Sequence, residues 1–183
     1  MDGNFIEFGT LSGFSLMWIA HISEQNESYN KKIFGIDGFI GLPYAEGCFR
    51  IGDFKTTREQ CLTNINFNAN SYKNNHKNIF IKEALFSKKA LIAQYLQANQ
   101  SGKFCFIHID CDVSQSALEI FDLLQKYDLI ADESFIVFDD FYCTSSLKYT
   151  VDDLFQNLSA AWNIESYGRT NLTQTFKFIR NNN

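Results

Sequence analysis

Phe104-Cys105-Phe106-Ile107-His108-Ile109-Asp110-Cys111-Asp112 is the stretch on which the fold turns. Residues 104–109 form a short, almost wholly apolar run, as a strand buried on both faces of a parallel sheet does. Strand alternation puts His108, Asp110 and Asp112 on one side and Ile107, Ile109 and Cys111 on the other. Two carboxylates at the end of such a strand are costly to bury unless a cation or hydrogen bonds compensate them.

Outward from this run, similar short runs at 5–8, 33–36, 79–81 and 135–138 give four further strand candidates. The segments between them have helical period. Ser116-Ala117-Leu118-Glu119 reads as a capping box, followed by Ile120, Phe121 and Leu124 on one face. Thr150-Val151-Asp152-Asp153 is a second acidic start, Thr57 to Gln60 opens a helix through Ile65, and Ser87 precedes one through Leu96. Residues 14–22 are apolar nearly all round, which suits a helix buried between sheet and neighbours. Residues 163–167 and 175–179 read as two strands joined by the polar turn 168–173, and with no helix between them they must pair antiparallel. The expected fold is α/β: a doubly wound, mostly parallel, seven-stranded Rossmann-like sheet with a C-terminal antiparallel hairpin and helices on both faces.

Composition bounds the reading. One domain over residues 1–183 is expected, since the chain is too short for two of average size. Hydrophobic residues make up 45% and charged residues 20%, with nineteen Phe, which excludes a disordered or fibrous chain. A net charge of −5 offers no basic field, so nucleic acid is not an expected partner. No apolar run approaches the ~20 residues of a membrane span, and the start lacks a basic region before an apolar one, so the expected location is cytoplasmic. Five scattered cysteines form neither a disulfide framework nor a CxxC metal spacing.

In a doubly wound sheet, ligands bind beyond the carboxyl ends of the strands. Glu7-Phe8-Gly9-Thr10-Leu11-Ser12-Gly13 follows the first strand; its glycines suit either close backbone approach to a ligand or plain turn chemistry. Asp37 ends the second strand, where an acid accepts hydrogen bonds from both hydroxyls of a ribose, or else stands as a solvated turn acid before Gly38. G-x-G-x-x-G is absent, which favours a mononucleoside without phosphates. Asp139-Asp140 ends the fifth strand. Neighbouring strand ends lie ~4.8 Å apart, so up to four carboxylates can converge, and a hard divalent cation is the remedy for their repulsion. Asp112 fits a ligand role and a helix cap equally, and His108 fits a satisfied core residue. The segment 44–55 reads as a surface loop or as a lid offering Phe49, Arg50 and Phe54, and the Asn-rich stretch 66–77 is uninformative.

Taken together, 7–15, Ile36-Asp37-Gly38-Phe39-Ile40-Gly41-Leu42-Pro43, His108-Ile109-Asp110-Cys111-Asp112 with Ser114 and Ser116, and Phe138-Asp139-Asp140 resemble the macrocin O-methyltransferase family. These are class I, S-adenosylmethionine-dependent, divalent-metal-dependent enzymes that methylate sugar hydroxyls. The resemblance runs from residue 4 to the end; Ile40 stands where the family usually has an acid. It implies an O-methyltransferase moving the methyl of S-adenosylmethionine to a sugar or sugar-containing acceptor, with Mg²⁺ the expected metal. It places Glu7, Gly9 and Gly13 at the methionine end of the cofactor and Asp37 at the ribose, with Thr10, Ser15, Gly38, His108 and Asp110 as further cofactor contacts. Asp110, Asp139 and Asp140 match the family's metal acids, and Asp110 and Asp139 its catalytic ones. Family members carry N-terminal helices over the cofactor, and this chain begins only a few residues before its first strand. A homo-oligomer completing the acceptor pocket is therefore one expectation. Two alternatives stand beside the methyltransferase: a glycosyltransferase using Asp110-Cys111-Asp112 as a D-x-D motif, and a catalytically silent relative acting as a binding or assembly subunit.

Overall fold

The computed structural model describes residues 2–26, 30–72 and 78–181, with side chains omitted over 67–72. Seven strands form one sheet: β1 (Asn4–Phe8), β2 (Ile33–Asp37), β3 (Ile79–Glu83), β4 (Phe104–Ile109), β5 (Ile130–Phe138), β6 (Trp162–Arg169) and β7 (Gln174–Arg180). Their order is β3-β2-β1-β4-β5-β7-β6. β1 to β5 are mutually parallel, and β7 runs antiparallel between β5 and β6. Five helices connect them: α1 (Phe14–Gln25), α2 (Arg58–Tyr72), α3 (Lys89–Ala98), α4 (Ser114–Lys126) and α5 (Ser145–Leu158). The strand order reverses between β1 and β4, the switch point at which open α/β sheets bind ligands.

The main core lies between the sheet and α3, α4 and α5, with Ile6, Phe8, Phe34, Ile107, Ile120, Phe121 and Phe138 sealed from solvent. A smaller one joins Leu16 and Ala20 of α1 to Cys61 and Ile65 of α2. Phenylalanine is concentrated at the end of β5, where Phe138 packs against Phe121, Phe141, Phe155 and Phe176 at centroid separations of 5.7–6.4 Å. Such ring pairs add about 0.5–1.5 kcal/mol each beyond burial. They fix the strand immediately before Asp139-Asp140.

Several local expectations are corrected. α4 begins at Ser114, so Ser116 is not a cap but a buried residue of the first turn. The N–H of Ser114 is met instead by Glu46, 68 positions away. α5 begins at Ser145, five residues before Thr150; its cap is Thr144, whose Oγ1 accepts from Leu147 N. Thr57 does cap α2, accepting from Gln60 N. β5 starts five residues earlier than its Phe-rich half, because a bulge near Glu133 interrupts its pairing with β4. α1 is not buried all round: Leu16 and Ala20 face inward, while Phe14, Trp18 and Ile22 lie exposed. The 66–77 stretch continues α2 to Tyr72, and 73–77 fall outside the described residues.

Candidate active site

Gly9 sets the geometry of the β1–α1 turn. Its φ is +90°, and a Cβ there would stand 1.8 Å from the carbonyl oxygen of Asp110. Only a glycine lets the turn lie this close to the end of β4. Gly9 N donates to Ile36 O and Asp110 N to Phe8 O, both at 2.9 Å, so three strand ends are tied at one point. Gly13 is also left-handed, at φ +79°, and leads into α1.

Beside this turn opens a cavity of 390 Å³ whose wall includes Gly9, Asp37, Gly38, Asp110, Asp112 and Asp140. Asp37 is oriented by two backbone donors, Leu11 N to Oδ2 at 2.8 Å and Phe39 N to Oδ1 at 2.6 Å. Each oxygen keeps a lone pair for a ligand hydroxyl. Leu85 and Phe86, directly after β3, supply an apolar wall, and Ser116 and Cys143 complete the far side. Of these four only Ser116 was singled out from the sequence, as a capping residue and within the family motif, and not as part of a cavity wall. Leu85 and Phe86 could have been, since they occupy the carboxyl end of a parallel strand.

Of the segment 44–55, Phe49 and Phe54 stand in the cavity wall and Arg50 does not. Four long-range hydrogen bonds hold the loop. Glu46 accepts from Ser114 N, Ser114 Oγ and Thr144 Oγ1, all at 2.8 Å, and so bridges the N-termini of α4 and α5. Tyr44 Oη donates to Glu119 at 2.6 Å.

Asp110, Asp139 and Asp140 converge, each offering an oxygen within 4.8 Å of the others. Burial pushes Asp110 up to about 8; the nearby His108 opposes this, and the charges of Asp112, Asp139 and Asp140 add to it. Asp112 is raised to about 7 by burial and by Asp140, with which it shares a hydrogen bond. Asp112 therefore caps no helix: α4 has no side-chain cap, and Asp112 itself sits at φ +58°. Thr173 Oγ1 donates to Asp139 at 3.0 Å, and Cys143 Sγ to Asp140 at 3.1 Å. Crowded carboxylates that retain protons for lack of a counter-charge are the donor set a hard, oxygen-seeking divalent cation fits.

The remaining candidates lie outside the cavity wall. Glu7 is wholly buried and pairs with His108 Nδ1 at 2.8 Å, across the β1–β4 pair. Burial pushes His108 down, but the carboxylates of Glu7, Asp110 and Asp139 outweigh it and its pKa is raised. Thr10 is buried, and Ser15 stands in the first turn of α1.

Residues 6–141 match the methyltransferase-domain family, and the chain belongs to it: a class I, S-adenosylmethionine-dependent methyltransferase. No curated protein sequence shows a significant match to the chain. Among solved structures, the chain is similar to CalS11, a calicheamicin methyltransferase, at TM-score 0.75 and 16% identity over 97% of this chain and 72% of that one. It is similar to the O-methyltransferase NovP at TM-score 0.74 and 15% identity, covering 98% and 73%. A third likeness is to SMU.1697c of Streptococcus mutans, solved with SAH, at TM-score 0.61 and 10% identity over 97% and 89%. At these identities the likeness is one of fold. The described residues include no helix long and apolar enough to cross a membrane.

Proposed function

We propose that the protein transfers the methyl group of S-adenosylmethionine to a hydroxyl of a sugar or sugar-containing acceptor, aided by a divalent cation held by Asp110, Asp139 and Asp140. The observation that carries this reading is the convergence of those three acids, two of which line the same cavity as Asp37.

The chain's own residues divide the work. Asp37, oriented by Leu11 N and Phe39 N, accepts the ribose hydroxyls, and the Leu85-Phe86 wall covers apolar ring surface. Gly9 lets the backbone approach the methionine end. The cofactor supplies an electrophilic sulfonium methyl, and the cation lowers the pKa of an acceptor hydroxyl. Asp110, which burial leaves protonated near neutral pH without a counter-charge, would give up that proton to hold the cation beside the hydroxyl, whose own proton would pass to solvent. Thr173 holds Asp139 in place, and the 44–55 loop excludes water from the transfer. Alignment of oxygen, methyl and sulfur then supplies much of the rate. Membership of a methyltransferase family favours this reading over the glycosyl-transfer alternative.

The test is a radiolabelled methyl-transfer assay over a panel of free and nucleotide-linked sugars, run with Mg²⁺ and with EDTA, beside calorimetry of S-adenosylhomocysteine binding. EDTA and Asp139→Ala are expected to abolish transfer while S-adenosylhomocysteine still binds. Full turnover in metal-free buffer removes the cation from the proposal, and failure to bind S-adenosylhomocysteine supports the catalytically silent reading.

A further inference from the structure

The acid triad stands between two depressions. Asp110 and Asp112 line only the 390 Å³ cavity that reaches Asp37, whereas Asp139 lines only a second, open one of 430 Å³; Asp140 lines both. The second depression is completed by Thr170, Asn171, Leu172 and Thr173, the turn between β6 and β7. The turn is locked in shape: Thr170 N donates to Thr173 O at 2.9 Å, and Thr173 N to Thr170 Oγ1 at 3.1 Å. It is also fastened to the triad through Thr173 Oγ1 and Asp139, and to the β5–α5 loop by Tyr142 N donating to Leu172 O at 3.2 Å.

We infer that this depression is the acceptor subsite, that Asn171 determines specificity there, and that it takes an uncharged pyranose ring presenting vicinal hydroxyls. The inference rests on the methyltransferase reading above and deepens it. Methyl transfer brings two molecules together at one point, so the cofactor and acceptor must approach that point from different sides. Only Asp140 is shared by the two walls, which puts the meeting point at the triad. The chemistry of the second wall selects the ligand. Apart from the two carboxylates that would hold the cation, this wall is uncharged and has no cationic side chain to meet a phosphate or carboxylate. The nearest guanidinium, Arg169, is stacked 4.1 Å over the ring of Tyr142 and is not part of the wall. Thr170 and Thr173 spend their hydroxyls on the turn and on Asp139. The side-chain amide of Asn171, exposed at the tip, makes no hydrogen bond among the described residues. One amide offers a donor and an acceptor together, the pair that two adjacent hydroxyls satisfy. Leu172, 49% exposed beside it, gives the C–H face of a ring an apolar surface.

The experiment uses ¹⁵N-labelled protein saturated with S-adenosylhomocysteine and Mg²⁺ and titrated with methyl α-D-mannopyranoside, an uncharged ring with adjacent hydroxyls. Saturable amide shifts are expected at residues 170–173, and mannose 6-phosphate is expected to produce weaker ones there. Asn171→Ala, at an exposed turn tip, is expected to weaken the sugar's apparent Kd about tenfold, the loss of a hydrogen-bonding pair, with S-adenosylhomocysteine affinity unchanged. Sugar shifts confined to residues 49–54, an Asn171→Ala titration indistinguishable from the parent, or no shift at the solubility limit of the sugar overturns the inference. Absence of S-adenosylhomocysteine shifts at Gly9 and Gly38 is a different failure, that of the underlying methyltransferase reading.

Discussion

Replacing Gly9 by alanine probes the contact on which the site geometry depends, and Gly102→Ala is its matched control. Both glycines have positive φ, +90° and +60°, so both substitutions force an L side chain into left-handed backbone at about 1–2 kcal/mol. They differ in surroundings. A Cβ at Gly102 meets nothing within 4 Å, whereas one at Gly9 stands 1.8 Å from Asp110 O, more than an ångström inside the closest approach real Cβ atoms show. No rotamer relieves a clash with backbone, so the ends of β1 and β4 must part. The hydrogen bonds Asp110 N to Phe8 O and Gly9 N to Ile36 O are the ones at risk. At about 1 kcal/mol each, their loss brings the expected destabilisation of Gly9→Ala to about 3–4 kcal/mol, against about 1–2 kcal/mol for Gly102→Ala. Urea unfolding of parent and variants gives both numbers, and calorimetry with S-adenosylhomocysteine gives the second consequence, weaker binding for Gly9→Ala alone. If the two variants unfold within about 0.5 kcal/mol of one another, the close approach is not what fixes the turn, and the argument from Gly9 is refuted.

Asp110→Asn is expected to inactivate the protein yet stabilise it in EDTA at pH 8. The folded parent holds the Asp110 proton until about 8 while the unfolded chain releases it near the ordinary 3.8, so the parent loses stability as pH rises between those values and the amide does not. The difference is on the order of a few kcal/mol, read by urea unfolding at pH 5 and 8; Mg²⁺ should restore the parent at pH 8 and leave the variant unmoved, and parallel pH profiles would show that burial of this carboxyl is not costly. Glu46→Ala removes three hydrogen bonds to the starts of α4 and α5 and is expected to cost about 2 kcal/mol, to weaken S-adenosylhomocysteine binding, and to open residues 44–55 to limited proteolysis. A protease pattern identical to the parent's would mean that Tyr44 and the apolar contacts hold the loop unaided.

What could be read in the sequence, and what could not, follows the range of the interactions involved. β1 to β4 are legible because burial on both faces demands continuous apolar runs, and residues 33–36 and 104–109 satisfy that locally. The acids at strand ends are legible for the converse reason, since Asp37, Asp110 and Asp139-Asp140 stand out against the runs that precede them. The errors lie where a partner is distant. Ser116 imitates a capping box, but the donor that needs a cap is served by Glu46 from another loop, and no local pattern announces that. The pairing of Glu7 with His108, 101 positions away, is likewise announced by no local pattern. Phe14, Trp18 and Ile22 read as core because hydropathy cannot say which face of an apolar helix is left over. The first half of β5 is lost to its bulge, where Asp132, Glu133 and Ser134 break the apolar run.

The unusual phenylalanine content and the acid cluster are parts of one construction. Four carboxylates at the ends of adjacent strands repel one another, and without a counter-charge they either hold protons, as Asp110 and Asp112 do, or push β4 and β5 apart. The backbone bond from Asp139 N to Ile109 O is all that joins those strands beyond the last paired residues, Ile109 and Phe138. One such bond contributes about 1 kcal/mol, too little to resist repulsion at close range in a partly desolvated site. The resistance comes from behind. Phe138 is gripped by Phe121 of α4, Phe155 of α5, Phe176 of β7 and Phe141 in the following loop, elements that approach from three directions. A strand end held in this way keeps the acids together, so that their mutual charge adds to burial in raising Asp110 and Asp112. A smaller side chain at Phe138 is expected to let the acids move apart, and Asp110, less crowded by Asp112, Asp139 and Asp140, would then ionise at lower pH, read by NMR titration of its carboxyl.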